Sequence, residues 1–297
     1  MSSTTDVAQS GPLVSVLTPS YGQAQWLEDN LRSVEAQTYQ PIEHVVMDGG
    51  SVDGTIAILE RRSRSGLVWV SEPDNGQSDA INRAFARSSG EIIGWLNSDD
   101  AYFGRDVVAE AVAAFAADPS IAVVYGHGAL VDARGRILHA LWAPSHNPTL
   151  LRLHDYVVQP AAFVRRSVVG PLLVDPGFDF SMDYELFLRL ARRHRFQRLD
   201  RIVAIDRHHA ARKSYTMVAT RRADHARLVE RYGIAHGLIG RLGRKIWKIL
   251  SRLAGVRLIP VLRAEEVVFA ATGRSGRLAL LRRQVAALRA GMGTGEP

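Results

Sequence analysis

Two adjacent acids in the segment Asn97-Ser98-Asp99-Asp100 have the clearest potential for chemistry in this chain. They follow the apolar run of residues 92–96, which has the composition of a buried strand. Neighbouring carboxylates beside a hydrophobic core are unfavourable, because like charges repel and burial removes their hydration. A divalent cation with oxygen ligands relieves that repulsion and also binds phosphate groups. The segment therefore indicates either a metal site for a phosphate-bearing ligand or a helix N-cap or solvated turn.

The elements that must position these acids form a repeating pattern of strand, polar loop and helix. The first strand ends at Pro19, and the second ends in Asp48 and a glycine-rich turn that permits close approach of a ligand. Asp53 is expected to cap the helix that follows this turn. In open α/β sheets, ligands bind where such strands end. The predicted elements are strands at residues 13–19, 42–47, 67–71 and 92–96, with helices at 26–37 and 56–62.

Six segments, taken in order and spacing, resemble those of the family 2 glycosyltransferases, and the resemblance covers about residues 13–215. The first four resemble the donor-binding half of that family, and the last two resemble its acceptor half. The segments are VSVLTPSYGQ (14–23), HVVMDGGSVDGT (44–55), SEPDNGQSDAIN (71–82), GEIIGWLNSDD (90–100), VQPAAFVRRS (158–167) and MDYELFLRLA (182–191).

The resemblance implies the α/β fold called GT-A, with a Rossmann-like, mostly parallel central sheet flanked by helices and a C-terminal amphipathic helical extension. Residues 13–232 are expected to form the catalytic domain, with a nucleotide-sugar-binding half at 13–104 and an acceptor half at 105–232. Residues 1–12 are expected to be a disordered tail, and residues 233–297 a basic amphipathic helical tail.

The resemblance also implies a nucleoside-diphosphate sugar as donor and Mg²⁺ or Mn²⁺ as cofactor. Asp99 matches the last acid of the family's Asp-any-Asp motif and is the implied metal ligand. Asn97 replaces the first acid of that motif, which removes a negative charge and is expected to weaken metal binding. Asp100 is expected to contact sugar hydroxyls or to orient Asp99. His208, in a predicted cationic loop at 207–214, is a further candidate for contact with metal or phosphate.

The resemblance also implies that residues at the strand ends and in the helix after the third strand bind the donor. Asp48 is placed to accept hydrogen bonds from the base or the ribose. Where the family often has a second acid after this position, and an Asn after the first strand, this chain has Gly49 and Gly22. The residues implied in donor binding are Thr18, Pro19, Tyr21, Asp48, Gln77, Asp79, Asn82, Asn97 and Asp100.

Asp183 is the candidate for the general base. An acid in the first turn of a helix is normally a partner of the helix dipole, and position alone favours that role. The resemblance implies instead that Asp183 removes the proton of the acceptor hydroxyl, because Asp183 matches the acid of the family's acceptor motif. Direct displacement by the deprotonated hydroxyl inverts the configuration of the sugar. Glu185 lies on another face of the helix, whereas Gln159 and Lys213 are candidates on the acceptor side.

Length and composition are those of a folded protein. The chain has 297 residues, 46% of them hydrophobic and 23% charged, which is enough to bury a sizeable core. It contains no Cys, so disulfides and thiolate-bound metals are excluded, as suits the cytoplasm. The N-terminus lacks the basic and apolar regions of a signal peptide, and no apolar run is long enough to span a bilayer. A cytoplasmic protein is expected.

The net charge of +7 is concentrated at the C-terminus, where residues 236–297 hold twelve Lys and Arg against three Glu. In a helix predicted at 236–254, apolar and cationic residues fall on separate faces. This pattern is typical of a helix that lies on anionic lipid, here at the inner face of the cell membrane. A second basic helix is predicted at 276–290. The apolar face has Leu238, Ile239, Leu242, Ile246, Ile249, Leu250 and Leu253, and the cationic face has Arg241, Arg244, Lys245, Lys248 and Arg252.

The alternative for the tail is that its apolar stripe packs on the catalytic domain or on a second subunit, which would give a homo-oligomer. Nucleic acid is not an expected partner, because aromatic residues for stacking are nearly absent from the tail.

These features predict an inverting glycosyltransferase at the membrane surface that acts on a glycan or lipid-linked acceptor, in the synthesis of a cell-envelope polysaccharide or glycolipid. One alternative is a nucleotidyltransferase on a similar scaffold, which would need a cationic phosphate loop near the N-terminus. Residues 18–25 contain no cation. The other alternative is a non-catalytic protein that binds glycan or lipid, against which the retained Asp99 and Asp183 argue.

Overall fold

Strands and helices alternate through the first part of the computed structural model, which describes residues 11–256 and residue 258. Each strand in this part is followed by a polar or glycine-rich loop, as predicted from the sequence. The first helix covers residues 24–35 and so begins and ends two residues earlier than predicted. The elements are β1 (Val14–Ser20), α1 (Ala24–Glu35), β2 (Ile42–Asp48), α2 (Thr55–Arg62), β3 (Leu67–Ser71), α3 (Gln77–Arg87) and β4 (Ile92–Trp95).

The second part of the described chain mixes long and short strands with helices of unequal length. A short 3₁₀ turn at Gln159–Ala161 leads directly into one of the strands. The elements are β5 (Ala101–Tyr102), α4 (Val107–Ala117), β6 (Ile121–Asp132), β7 (Ile137–Leu141), α5 (Pro148–Leu153), β8 (Ala162–Arg165), α6 (Met182–Ala191), β9 (Arg195–His208), α7 (Lys213–Thr216), α8 (Val218–Tyr232) and α9 (Gly237–Val256).

One sheet joins all of these strands in the order β3-β2-β1-β4-β8-β6-β9-β5, with β7 paired to β6. The first four strands of this order are parallel, and the sheet is mixed beyond them. Ser20, Asp48 and Ser71 are register partners at the carboxyl ends of β1, β2 and β3. The loops after these strands therefore meet at one edge of the sheet, where ligands bind in open α/β folds.

The sheet is held by apolar side chains on both of its faces. Every residue of β1 is buried, as is typical of a central parallel strand covered by helices on both sides. On α3, Ile81, Ala84 and Phe85 face the sheet, and on α6 Leu186 and Leu190 do so. Burial of each large apolar side chain stabilises the fold by about 1.5–3 kcal/mol. This core fixes the strand ends that surround the site.

The last strand, β9, extends into the cationic loop predicted at 207–214 and changes the placement of that segment. It runs in parallel along β6 as far as the pair Asp132 and His208. Arg207 and His208 therefore belong to the strand, and the loop begins only at His209. The short strand β5, which directly follows Asp100, pairs with β9 beside Asp206. This pairing brings two distant acidic segments together.

The helix α9 confirms the predicted helical segment, and it packs on the protein through an aromatic residue. The Trp247 ring lies 5.5 Å from that of Trp142, 5.0 Å from His154 and 6.1 Å from Tyr156, measured between ring centroids. The apolar stripe points away from this contact and stays exposed, so packing of the stripe on the catalytic part is not observed. Its exposed members are Leu238, Leu242, Ile246, Ile249, Leu250 and Leu253, each 49–73% accessible.

Several predictions about the termini lie outside the described residues. These are the disordered tail for residues 1–10 and the second basic helix at 276–290. The same holds for the side chains of Ile239, Arg241, Arg244 and Lys248, whereas Lys245 and Arg252 are exposed on α9. Among the described helices, none combines the length and the apolarity needed to cross a bilayer.

Candidate active site

A cleft of about 810 Å³ lies at the carboxyl ends of the parallel strands. Loops after β1, β2 and β3 form one side, and the start of α6 with the segment after β9 forms the other. Six acids line the cleft, and five of them form two groups. We call Asp99, Asp100 and Asp206 the triple-acid cluster, and Asp155 and Asp183 the acid pair. The remaining polar residues on the wall include Ser20, Tyr21, Gln23, Asp74, Gln77, Asn97, Gln159, Ser181, Tyr184, Arg212 and Lys213.

His209 contacts the acid that the sequence marks as a metal ligand. Its Nε2 atom lies 2.9 Å from Oδ2 of Asp99, and its ring packs on Trp26 with 4.0 Å between centroids. The indole N–H of Trp26 donates to the Ala133 carbonyl, which fixes this ring in turn. The sequence offered His208 as a candidate for contact with metal or phosphate, and the structure places the adjacent His209 at Asp99. Both histidines also line a second, shallow depression.

Asp100 is buried and is held by two donors. Its Oδ1 accepts from the backbone N–H of Arg207 at 3.0 Å, and its Oδ2 accepts from Asn97 Nδ2 at 3.2 Å. Burial, together with the charges of Asp99 and Asp206, raises the pKa of the Asp100 carboxyl well above its usual range. Asp206 is paired with Arg212 at 2.7 Å. The triple-acid cluster thus brings three carboxyls together beside the guanidinium groups of Arg212 and Arg207, the second of which donates to the Asp99 carbonyl. A bound cation would relieve the repulsion among the carboxyls.

The triple-acid cluster and His209 fit a cation that takes few of its ligands from protein. In residues 11–256 and 258, no group of three His, Cys, Asp or Glu is arranged as a complete metal site. Asp99 and His209 already lie within hydrogen-bonding distance, so one ion could contact both. Mg²⁺ in phosphate-binding sites is typically held by one or two carboxylates, with phosphate and water as its other ligands. The donor set here matches that pattern.

Asn97 joins the two sides of the cleft through both ends of its amide. Its Oδ1 accepts from Gln77 Nε2 at 2.8 Å and from the Trp95 indole at 2.9 Å. Its Nδ2 donates to Gln159 Oε1 at 2.9 Å and to Asp100. An indole only donates, so the oxygen must face Trp95 and the amide nitrogen must face Asp100. A carboxylate at position 97 would lose both donated bonds, which gives a physical reason for the Asn in place of an acid.

Four predicted donor-binding residues turn away from the cleft, which corrects the prediction for each of them. Thr18 is buried against His44, with 2.9 Å between Oγ1 and Nε2. Asp48 is buried, and its carboxylate accepts from Ser71 Oγ and from loop N–H groups. Ser51 Oγ donates to the other carboxylate oxygen, so Asp48 uses both oxygens to shape the loop after β2.

The other two lie on α3, on the side of the helix opposite Gln77. At 3.6 residues per turn, Asp79 and Asn82 stand about 160° and 140° around the axis from Gln77. Asp79 pairs with Arg83 at 3.1 Å. Both amide atoms of Asn82 bond the backbone of Val174.

Pro19, Tyr21 and Gln77 do line the cleft on the predicted donor side. Tyr21 is 72% exposed, so its ring is available as a packing surface. Gly49 lies between Tyr21 and Asp74, and a Cβ atom there would come within 2.8 Å of Asp74 Oδ2 and 3.2 Å of the Tyr21 ring. A side chain at position 49 would therefore require the side chains of Asp74 and Tyr21 to shift.

The acid pair lies on the other side, in surroundings that favour protonation. Asp183 is in the first turn of α6, and its Oδ1 accepts from the Tyr184 backbone N–H at 2.8 Å. Burial raises the pKa of Asp183 to about 6, and the charge of Asp206 adds to that effect. Lys213 also lines the cleft, where burial lowers its pKa against the charges of Asp179, Asp74 and Asp183.

Asp155 was missed by sequence reasoning. It lies in the loop between α5 and the 3₁₀ turn, a segment without a recognisable motif. Burial and the charge of Asp183 raise the pKa of the Asp155 carboxyl well above its usual range. Glu185, in contrast, is buried away from the cleft and pairs with Arg189 at 3.3 Å. The placement of Glu185 agrees with its rejection as a base.

Comparison with known proteins places this geometry in context. The model of the family "Glycosyl transferase family 2" matches residues 15–171. An uncharacterized glycosyltransferase of Mycobacterium tuberculosis strain H37Rv is 35% identical over 189 residues, which are 61% of this chain and 70% of that protein. The O-antigen biosynthesis protein RfbC of Myxococcus xanthus is 30% identical over 186 residues, which span 61% of this chain but only 14% of that protein.

Solved structures support the fold. The mannosyltransferase PcManGT from Pyrobaculum calidifontis, solved in complex with GDP-Man and Mn²⁺, superposes with a TM-score of 0.56 at 19% identity. The match covers 93% of this chain and 84% of that one. At this identity the likeness concerns the fold alone, and it confirms the α/β GT-A fold predicted from the sequence.

Proposed function

Because the chain belongs to glycosyltransferase family 2, we propose that it transfers a sugar from a nucleoside-diphosphate sugar to a hydroxyl group of a glycan or lipid-linked acceptor, with inversion of configuration. The observation that carries this proposal is the cleft itself. It combines a cluster of acids suited to a cation and phosphates with a buried carboxyl of raised pKa. A relative named for O-antigen biosynthesis supports a role in the synthesis of a cell-envelope polysaccharide or glycolipid.

The donor's diphosphate is assigned to the side of the triple-acid cluster. Asp99 and His209 would hold Mg²⁺ or Mn²⁺, which when bound supplies Lewis-acid stabilisation of the departing diphosphate. The Mn²⁺ in the PcManGT complex supports a divalent ion. Tyr21 offers a surface for the base, and Gln77 holds Asn97 in the bridge between the two sides. Asp100 orients the loop that carries Asp99, because its own oxygens are bonded within the protein.

Asp183 is assigned the proton of the acceptor hydroxyl. A general base works best when its pKa lies near the working pH, and a pKa of about 6 meets that condition. The oxygen freed of its proton attacks the anomeric carbon from the face opposite the diphosphate, which inverts that centre. Lys213, close to Asp183, favours the charged form of the base.

A screen of nucleotide sugars tests this function. UDP-, GDP-, dTDP- and CMP-linked sugars are added to the full chain with Mn²⁺, Mg²⁺ or EDTA, and thermal unfolding and sugar release are measured. A donor at 100 times its Kd raises the free energy of unfolding by about 2.7 kcal/mol. We expect metal-dependent stabilisation and slow hydrolysis with one class of donor. Stabilisation by a nucleoside triphosphate with release of pyrophosphate, and none by nucleotide sugars, would indicate a nucleotidyltransferase instead.

We further propose that the enzyme works in the cytoplasm as a peripheral protein at the inner face of the membrane, attached through α9. Two observations support this. The apolar stripe of α9 is exposed while Trp247 packs inward, and Lys245 and Arg252 are exposed on the same helix. Each cation near an anionic surface contributes about 1 kcal/mol.

Vesicle flotation tests the membrane attachment. We expect the protein to float with vesicles of phosphatidylglycerol and phosphatidylcholine at low salt, and to be released at high salt, because salt screens exposed charges. Paired substitutions Leu242→Ser and Ile249→Ser should abolish flotation, whereas Leu138→Ser, at an exposed site on β7, should not. A wild-type protein that ignores these vesicles and elutes as a dimer would show that the stripe forms a subunit interface.

A further inference from the structure

Asp155 differs from the other acids of the cleft because its Oδ1 atom is buried and has no hydrogen-bond partner among the residues that the structure describes. Asp99 and Asp100, by contrast, are each in contact with a donor. Buried polar atoms in native proteins are nearly always paired, and an unpaired one is unfavourable. An unpaired carboxyl oxygen on the wall of a ligand cleft therefore suggests that the ligand supplies the missing donor.

The loop that carries Asp155 is fixed on both sides of the acid. The Tyr156 hydroxyl accepts from the Asn147 backbone N–H at 2.9 Å, and the Tyr156 side chain is buried. His154 and Tyr156 both pack on Trp247 of α9. Since both neighbours are anchored on the outside of the loop, the Asp155 carboxyl stays directed into the cleft. A rigid support of this kind is what precise recognition of a ligand requires.

We propose that Asp155 is a positioning residue that binds a second hydroxyl group of the acceptor, beside the hydroxyl that Asp183 deprotonates. The inference rests on the proposed transfer reaction and names its acceptor class, a sugar with two neighbouring free hydroxyls. Asp155 and Asp183 line the same cleft, and the unpaired Oδ1 atom of Asp155 is an acceptor for a hydroxyl. A sugar can therefore offer one hydroxyl to Asp183 and a second to Asp155, whereas a simple alcohol would leave the Asp155 oxygen unpaired and bind weakly.

Acceptor kinetics test this assignment. A panel of p-nitrophenyl glycosides is supplied with the donor found in the nucleotide-sugar screen, and the glycoside with the highest turnover is compared with its monodeoxy derivatives. Asp155→Ala should lower kcat/KM for the parent glycoside about 10-fold, as expected when a hydrogen bond from a hydroxyl to a neutral acceptor is lost. Donor binding, followed by thermal shift, should not change. Glu230→Gln, at an exposed acid of α8, is the matched control and should behave as wild type.

The deoxy acceptors separate recognition from a general structural role. In the wild-type enzyme, one monodeoxy derivative should show a loss similar to that of the variant. The variant should then lose nothing more on that derivative, because the same contact cannot be removed twice. Additive losses on every derivative, or no loss on any derivative in the wild type, would overturn the role of Asp155. Failure of both proteins to bind any nucleotide sugar would instead refute the proposed transfer reaction.

Discussion

The triple-acid cluster and the acid pair lie in one cleft, but their surroundings differ. Each member of the cluster has a donor beside it: His209 for Asp99, the Arg207 N–H for Asp100, and Arg212 for Asp206. In the acid pair, Asp183 accepts a backbone N–H, and Asp155 keeps a buried oxygen without a partner in the described chain. Both groups are buried, and burial raises the pKa of Asp100 and Asp206 as well as that of the acid pair. The two groups differ in their partners: side chains of His209 and Arg212 fix two acids of the cluster, whereas the acid pair keeps a carboxyl oxygen for a ligand.

The largest effect is expected from Asp99→Asn, which removes a charge from the cluster but leaves the acid pair intact. Transfer should fall about 10³-fold or more, because a bound cation contributes several kcal/mol to the transition state. Metal-dependent binding of nucleoside diphosphate should also be lost, as measured by calorimetry with Mn²⁺ and with EDTA. Glu230→Gln serves as the control. Unchanged binding of the diphosphate in Asp99→Asn would remove this acid from the donor site.

The next largest effect is expected from a substitution in the acid pair, which should leave donor binding unchanged. Asp183→Asn should lower kcat about 10²- to 10⁴-fold, the usual contribution of a general base. The donor's Kd should remain close to that of wild type, because only an interaction of the transition state is removed. Near-normal turnover in this variant would leave Asp183 as a residue of the helix start.

The pH dependence of the wild-type enzyme gives a second measure of the same residue. Asp183 acts as a base only when deprotonated, so kcat should fall as the pH drops below about 6. Burial and the charge of Asp206 raise the pKa of Asp183, and the charge of Lys213 lowers it. An acidic limb near the ordinary pKa of an aspartate would argue that the base is a solvated carboxyl elsewhere.

The two acid groups also differ in how far the sequence predicts them. Asp99 and Asp100 follow a buried strand directly, and parallel register brings the neighbouring strand ends beside them. The alternation of strands and helices and the acids at a strand end were therefore accessible from hydrophobic periodicity and local order. The GT-A fold and the role of Asp99 came from the resemblance to the family. The sequence pointed to His208, whereas the structure places His209 beside the acids. The difference arises because the end of β9 depends on its pairing with β6. That pairing joins segments far apart in the chain, and periodicity does not report it.

Of the acid pair, Asp183 was predicted from the sequence and Asp155 was not. Asp183 opens a helix with a clear apolar stripe, so its location follows from the sequence. Asp155 faces the cleft because its neighbours pack on Trp247 of a distant helix. The donor-side errors have the same origin. Asp48 and Asn82 are polar residues in the predicted places, but their hydrogen bonds to loops within the fold use the atoms that a ligand would need.

A substitution in the bridge between the two sides tests how they are joined. Asn97→Asp restores the acid of the family motif but removes both bonds donated by the amide, to Gln159 and Asp100. It also sets a second carboxylate against Asp100. We expect the free energy of unfolding at neutral pH to fall by about 2–4 kcal/mol, measured by urea titration. The loss should shrink at low pH, where protonated carboxyls can donate. Equal stability of the two proteins would show that the bridge is not important to the fold.

The smallest expected effect is a gain in stability, and it separates the acid pair from ordinary surface acids. The pKa of Asp183 is about 6 in the folded protein, above its ordinary value of 3.8. Between these values the folded state binds more protons than the unfolded state, so stability contributed by the protonated form is lost as pH rises. Asp183→Asn should therefore stabilise the protein above pH 6, by about 1–3 kcal/mol. The gain should vanish near pH 4.

Asp175→Asn is the contrasting variant and should lose stability at neutral pH, because Arg231 pairs with Asp175 and lowers the pKa of its carboxyl. Urea unfolding across this pH range measures both variants, and a destabilised Asp183→Asn at pH 7.5 would show that the Asp183 carboxylate is satisfied in the fold and not held for a substrate.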